Sequence, residues 1–234
     1  MTEVVKDVPV KNTALLDILN KYADLFQNED FEKKLVLTCE EQNDPENRDK
    51  WVGEEYMREI VNAGTGHEGF PDHVVSYLFK PDNMESFRFK EEVHKNDPDF
   101  KLDFKKRICD LNTELMHFFG ARNNALTAFY PPGGYISWHN NANAHAYNII
   151  FSWSETGDGW FKYLDPHTDK VVTMHDKKGW QCKASYFGHY GERDRIVYHA
   201  ASTDCKRITV SFIWNIEDAS KDVQDDLIYD ISHD

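Results

Sequence analysis

The sequence changes character at Gly120 in a way that restricts the fold. Beyond this residue, short runs rich in aromatic and β-branched residues alternate with turns rich in glycine and proline. This pattern predicts short strands, and the turn residues at 131–134, 156–159 and 166–169 suit tight connections. Such spacing is typical of an antiparallel barrel or sandwich, not of βαβ units. The predicted strands are residues 125–130, 147–153, 159–164, 170–174, 182–187, 195–199 and 207–214.

The residues before Gly120 show helical periodicity instead. Apolar side chains recur at helical spacing over residues 15–26, which predicts an amphipathic helix whose apolar face packs on a partner. Two further helices are predicted over residues 50–64 and 104–120. Each ends at a glycine, Gly64 or Gly120, which can take the left-handed conformation of a helix C-cap.

These elements predict a single α+β domain over residues 1–234, in which the helices cover one face of the strand region. Residues 1–120 form the mainly helical support region and residues 121–216 the strand core. The last segment, residues 217–234, carries seven acidic residues against one lysine. We expect this acidic tail to be solvated, with residues 223–231 able to dock as an amphipathic turn.

Composition argues against several classes of function. The formal net charge is −14, which disfavours binding to nucleic acid or to an anionic membrane surface. The four cysteines lack CxxC spacing, so a reducing, cytoplasmic location is expected, without a structural zinc site or a disulfide framework. No signal-peptide core or membrane-spanning apolar run is seen. Nucleotide-binding and serine-hydrolase motifs are also missing from the sequence.

Two histidines at predicted strand ends are the candidates for a metal site. His139 follows the turn at 131–134, and Asn141, two positions later, shares its side of an extended strand. His199 ends the run 195–199, one strand before the last. On that last strand Arg207 and the hydroxyl of Thr209 share one face, and a buried guanidinium requires an anion. The pattern predicts a metal held between the histidines and an anion near the arginine.

The order of these motifs resembles the 2-oxoglutarate and iron(II)-dependent oxygenases, most closely the prolyl-hydroxylase-like branch. The resemblance rests on Tyr130-Pro, the glycine-rich turn, His139-x-Asn141, the later Gly-Asp-Gly-Trp-Phe hairpin, His199 and Arg207. It covers roughly residues 120–216. It implies a double-stranded β-helix core, of jelly-roll or cupin-like form, with N-terminal buttressing helices.

The same resemblance implies roles for individual residues. His139 and His199 would bind iron(II), and Asn141 would stand where the family has its carboxylate. The 2-oxoglutarate co-substrate would be held by residues of neighbouring strands: Arg207, Thr209 and Tyr130. The implied activity is hydroxylation of a small-molecule or peptidyl substrate by dioxygen, with ascorbate as a supporting reductant. Nucleic acid and membrane partners are disfavoured, and the oligomeric state is left open.

Asn141 departs from the family pattern, which expects Asp or Glu. A neutral amide removes one negative charge from the metal's ligands, so iron should bind more weakly. Three alternatives stay open. The amide oxygen ligates, directly or through water, in a hydroxylase; an exogenous anion takes the position, as in halogenating relatives; or activity is altered or lost.

Other interpretations compete with the oxygenase. A cupin-like metal protein would use no 2-oxoglutarate and would take its third ligand from His145. A catalytically silent interaction module would bind no iron. Arg207 could instead be a salt-bridge partner of Asp204 or Asp194. The lysines of residues 176–183, together with Arg193 and Arg195, could form a basic rim around the mouth of the site.

Overall fold

The computed structural model of the chain describes residues 3–39, 43–64, 71–81, 83, 86–121, 123–141, 146–188, 191–215 and 219–234. The helices are α1 (Thr13–Asn28), α2 (Phe31–Lys34), α3 (Pro45–Val52), α4 (Glu54–Ala63), α5 (Glu91–Asn96), α6 (Pro98–Phe119) and α7 (Lys221–Ser232). The strands are β1 (Lys6–Val8), β2 (Val74–Val75), β3 (Tyr77–Phe79), β4 (Asn123–Tyr130), β5 (Tyr135–His139), β6 (Ala146–Ser154), β7 (Gly159–Asp165), β8 (Lys170–His175), β9 (Gly179–Phe187), β10 (His199–Thr203) and β11 (Arg207–Trp214). The predicted mixture of helices and antiparallel strands is confirmed; the division into a single domain stays a prediction.

The strands form two antiparallel sheets. One has the order β1-β9-β6-β11-β4-β3 and the other the order β2-β5-β10-β7-β8. From β4 onward the chain alternates between the sheets, except for the β7–β8 hairpin. Side chains from the inner faces of both sheets therefore line one shared cavity.

Strand β11 shows how the two faces of the first sheet differ. Arg207 and Thr209 point into the cavity between the sheets. Ile208, Val210 and Phe212 point the other way, into the apolar core shared with the helices, and each is fully buried. This division is the one predicted from the alternation of polar and apolar residues.

The helical layer packs on the outer face of that sheet. Helix α1 buries the apolar stripe predicted from its periodicity, and its Phe26 stacks on Phe129 of β4 with ring centroids 4.9 Å apart. Phe119, at the end of α6, stacks on Phe151 of β6 at 5.5 Å. Each large apolar side chain buried in this way stabilises the fold by about 1.5–3 kcal/mol.

Two predicted helices differ in extent from those observed. The helix predicted over residues 50–64 is divided at Gly53, whose extended backbone (φ −74°, ψ 159°) separates α3 from α4. Helix α6 begins at Pro98, earlier than predicted, because the Asp97 side chain accepts a hydrogen bond from the Phe100 amide and caps it. The predicted C-caps are confirmed, since Gly64 and Gly120 have φ values of +62° and +61°.

The prediction of a strand over residues 195–199 is wrong. Strand β10 starts at His199, and Ile196 and Tyr198 are buried against Met57 and Ile60 of α4 without pairing in a strand. Short strands also occur before Gly120, where only helices and loops were expected. Tertiary packing of apolar side chains, rather than ladder formation, accounts for the apolar run at 196–198.

The acidic tail is more ordered than predicted. It contains α7, which is capped by the Ser220 hydroxyl and buries Leu227 and Ile231 in the core shared with α1 and the first sheet. The Lys11 amide donates a hydrogen bond to the Ile231 carbonyl, which ties the helix to the start of the chain. Of the helices described, none has both the length and the apolar character needed to cross a membrane.

Candidate active site

His139 and His199 face each other across two paired strands. His139 is the last residue of β5 and His199 the first of β10, and they are direct partners in the antiparallel register. Directly opposite side chains on one face of a sheet lie close together. Their ring centroids are 4.1 Å apart, and each residue is 7% exposed.

Both imidazoles are held in the same orientation. His139 Nδ1 lies 2.7 Å from the Ser137 carbonyl oxygen, and His199 Nδ1 lies 3.0 Å from the Val197 carbonyl oxygen. A carbonyl can only accept, so each Nδ1 must carry a proton, and in the neutral imidazole Nε2 then has the lone pair. This orientation, with Nδ1–H fixed by a backbone carbonyl, is the usual one for a histidine that binds a metal through Nε2.

The surroundings of His199 keep it neutral. The histidines line a cavity of about 280 Å³, whose wall includes Asn141, Phe161 and Phe187. The Phe187 ring centroid is 4.6 Å from that of His199, and the Phe161 centroid is 5.7 Å away. Burial lowers the pKa of His199 to about 4, although its hydrogen bond to Val197 opposes the shift. The uncharged imidazole is the form that binds a metal.

Arg207 lines the same cavity and is 2% exposed. Its Nε donates to Asp176 Oδ2 at 2.8 Å, its Nη1 to Thr209 Oγ1 at 2.7 Å and its Nη2 to Ser152 Oγ at 3.0 Å. The alternative prediction that Arg207 pairs with Asp204 or Asp194 is wrong. Asp204 pairs with Arg48 on α3, and Asp194 is exposed at the surface.

Lys183 of β9 is a further buried cation that the sequence analysis missed. Its Nζ lies 3.7 Å from Asp176 Oδ1, and both side chains are at most 1% exposed. The sequence contains a signal for its position, because Gln181, Lys183 and Ser185 alternate with apolar residues that face the helices. Lys183 therefore does not belong to a basic rim; Lys177, at the surface, pairs with Asp7.

Gly159 explains how a carboxylate fits beside Arg207. A Cβ atom at this position would lie 2.6 Å from Asp176 Oδ2 and 3.1 Å from the Ser202 carbonyl oxygen. The second glycine of the Gly-Asp-Gly turn thus leaves the space that the Asp176 carboxylate occupies. The sequence indicated only a hairpin there.

Tyr130 completes the arginine's surroundings. It is the register partner of Arg207 across β4 and β11, and Arg207 Cζ lies 5.6 Å from its ring centroid. Burial raises the pKa of Tyr130 to about 12, opposed by Arg207 and by a hydrogen bond with Thr209. The phenol is therefore protonated near neutral pH and can donate a hydrogen bond.

The remaining candidates lie in different places. Asn141 is half-buried in the cavity wall, although β5 ends two residues before it. His145 lies outside the described residues. Arg193 and Arg195 are exposed, and Arg195 donates to Glu192 at 3.2 Å.

Within the described ranges, no three residues among His, Cys, Asp and Glu converge as a possible metal-binding group. The donor set on offer is two imidazoles and one amide, which suits a divalent transition metal such as iron(II) more weakly than a set with a carboxylate. The metal and co-substrate roles stay predictions.

Comparisons with known proteins found distant structural likeness only. No family model matches the chain, and no curated protein matches it. A prolyl-4-hydroxylase from Pseudomonas putida is 13% identical, with 92% of this chain and 94% of that one covered and a TM-score of 0.45. A rice dioxygenase for auxin oxidation is 11% identical, with coverages of 94% and 78% and a TM-score of 0.37. The protein OsALKBH1 is 16% identical, with coverages of 77% and 97% and a TM-score of 0.31.

These names agree with the resemblance stated from the sequence motifs. With TM-scores below 0.5, the likeness carries no argument about activity. The case for a function therefore rests on the cavity and its side chains.

Proposed function

We propose that the chain is a non-haem iron oxygenase that couples oxidative decarboxylation of 2-oxoglutarate to hydroxylation of a second substrate. The observation that carries the proposal is a single cavity that contains two facing imidazoles and a buried guanidinium. The imidazoles suit a metal ion and the guanidinium suits a carboxylate. A keto acid with a distal carboxylate can engage both.

We also propose that the strand region is a double-stranded β-helix. Four neighbouring strands of one sheet have the order β9-β6-β11-β4, and four of the other have the order β5-β10-β7-β8. Eight antiparallel strands divided between two sheets in this alternating way are the pattern of a jelly roll. The proposed ligands lie on the inner faces of these strands, where such a core would enclose them.

In this proposal His139 and His199 bind iron(II) through Nε2, and Asn141 provides an amide oxygen directly or through water. Iron(II) held there would allow dioxygen to be reduced by two electrons from 2-oxoglutarate and two from the substrate C–H bond, so that one oxygen atom would enter the hydroxylated product and the other succinate, with release of carbon dioxide. Phe161 and Phe187 exclude water from the space beside the histidines.

Arg207 holds the distal carboxylate of the co-substrate. Three of its five N–H groups are already used, by Asp176, Thr209 and Ser152. Among the contacts of the described residues, one N–H therefore remains on each of Nη1 and Nη2 to donate to a ligand in the cavity. Tyr130 and Thr209 hydrogen-bond to each other, so together they offer one further hydroxyl donor at this end.

A cupin-like protein that uses no keto acid is less well supported. That alternative predicts Arg207 at the surface, whereas the side chain is 2% exposed and lines the cavity. A catalytically silent module is the outcome expected if Asn141 prevents metal binding. The substrate remains of the small-molecule or peptidyl class, because the net charge of −14 disfavours nucleic acid.

Succinate release tests the proposal. The purified protein, supplied with iron(II), ascorbate and 2-oxoglutarate, should form succinate, and His139→Ala should abolish this. His175→Ala is the matched control, because His175 is exposed on β8 and should leave the rate unchanged. Manganese(II) with N-oxalylglycine should also raise the melting temperature of the wild type, since it binds the folded state alone. The absence of both succinate formation and thermal stabilisation would contradict the proposal.

A further inference from the structure

The charge of Arg207 is largely balanced before any ligand arrives. Its Nε lies 2.8 Å from Asp176 Oδ2, and the Asp176 side chain is fully buried. A carboxylate that enters the cavity therefore meets an ion pair, whose two charges attract and repel it to a similar extent. Arg207 supplies direction through its remaining N–H groups, but the pair gives little net attraction for an anion.

Lys183 changes this balance. We name Arg207, Asp176 and Lys183 the interior charge cluster. Lys183 is 1% exposed, and its Nζ has no hydrogen-bond partner among the residues that the structure describes; Asp176 Oδ1 lies 3.7 Å away. Burial of an ammonium group without hydrogen-bond partners costs free energy, so an anion that binds nearby would stabilise it. The interior charge cluster carries one net positive charge.

Lys183 does not line the cavity, but its charge lies close behind the cavity wall. Its Nζ is 5.8 Å from the ring centroid of Phe161, which forms part of the cavity wall beside His199. The other titratable neighbours are Asp7 of β1 and Cys182 of β9. Asp7 is half-exposed and pairs with Lys177, and burial raises the pKa of the Cys182 thiol, which stays neutral.

We propose, on the basis of the function proposed above, that Lys183 determines the co-substrate specificity of this site. Its charge makes the arginine end of the cavity prefer a keto acid with a distal carboxylate to one that ends in a methyl group. Asp176 is a positioning residue: it holds the Nε side of Arg207 and sets the net charge of the interior charge cluster to one.

The protonation of Lys183 is consistent with this role. Burial lowers the pKa of Lys183 to about 8, while the Asp176 carboxylate opposes the shift. The side chain is therefore mostly charged near neutral pH. A bound carboxylate nearby would raise the pKa again, and by linkage the charge favours that carboxylate.

Two keto acids of equal length provide the test. 2-Oxoglutarate and 2-oxopentanoate differ only in a terminal carboxylate against a methyl group, so the ratio of their dissociation constants reports the preference. The ratio is measured by calorimetry on the manganese(II)-loaded protein without oxygen. Lys183→Met should reduce the ratio by about tenfold or more. The attraction between two opposite unit charges several ångströms apart in a protein interior is larger than the 1.4 kcal/mol that a factor of ten represents.

Two further variants keep one net positive charge in the cluster. Lys183→Arg and the double variant Asp176→Asn/Lys183→Met should both retain a preference close to that of the wild type. A merely structural role for Lys183 predicts no such recovery in the double variant. These two variants also test the proposal if Lys183→Met does not fold. Loss of the preference for 2-oxoglutarate in both of them would overturn the proposal.

The outcomes separate the two proposals. A folded Lys183→Met variant with the wild-type ratio would overturn the role of Lys183 while leaving the oxygenase proposal intact. Binding of neither keto acid by the wild type would instead contradict the proposed function itself.

Discussion

Replacement of Asp176 by Asn should destabilise the protein severely, although the change removes no volume. Asp176 is fully buried and stands between two buried cations, with Arg207 Nε at 2.8 Å and Lys183 Nζ at 3.7 Å. Asn can still accept a hydrogen bond from Arg207, so the change is mainly one of charge. It leaves two buried cations without their shared anion.

The expected loss in the free energy of unfolding is about 3–5 kcal/mol, the range measured when one partner of a buried ion pair is removed. Release of the Lys183 proton limits the loss, because burial has already lowered its pKa to about 8. The total stability of a natural domain is about 5–15 kcal/mol, so the change is large but measurable. Adding Lys183→Met to Asp176→Asn should recover part of the loss, since one unpaired cation is then removed.

Urea unfolding followed by tryptophan fluorescence and circular dichroism measures these differences. The matched control is Asp169→Asn. Asp169 pairs with Arg58 at 2.7 Å, but its side chain is 74% exposed, so the change should cost at most about 1 kcal/mol. Asn also tolerates the positive φ of 54° at this position. An equal effect of the two substitutions would refute the reasoning about buried charge.

Four further outcomes are expected. Gly159→Ala should destabilise by about 1–3 kcal/mol in urea unfolding, because the new methyl group meets Asp176 at 2.6 Å; an unchanged midpoint would contradict the observed packing. Ile231→Ala should cost about 2–5 kcal/mol in the same assay, because this residue of α7 is fully buried, whereas a solvated tail predicts no loss. On the proposed function, 2-oxoglutarate affinity should fall as the pH rises through about 8, where Lys183 loses its charge, and calorimetry should find no such fall in Lys183→Arg. Asn141→Asp should tighten manganese(II) binding in the absence of a keto acid, and equal affinity in the two proteins would argue against a ligand role for this position.

The predictable part of the site comes from periodicity along single strands. Alternation in β11 correctly placed Arg207 and Thr209 on the face opposite the apolar residues, because side chains in any strand alternate. The two histidines were predicted as a pair because each stands at a strand end beside turn residues. Their direct register, 60 residues apart in sequence, is a property of the paired strands that no single segment encodes.

The unpredicted part depends on contacts between distant segments. Asp176 lies in a stretch of charged residues, Asp-Lys-Lys-Gly, that is typical of an exposed turn. Its burial requires the space left by Gly159 and the two cations on β9 and β11. The apolar run before His199 was predicted as a strand because burial and strand pairing produce the same composition.

The charges at the two ends of the cavity bear on each other, if the chain is the oxygenase proposed above. Two neutral imidazoles and the amide of Asn141 leave both positive charges of iron(II) unbalanced by the protein. At the other end, the interior charge cluster adds one more positive charge. A keto acid with two carboxylates brings negative charge to both ends at once. It should therefore strengthen metal binding more at this site than at a site with a carboxylate in place of Asn141. Because linkage is reciprocal, the metal should strengthen keto-acid binding by the same factor. Asn141 then makes iron retention depend on the co-substrate, rather than simply weakening the metal site.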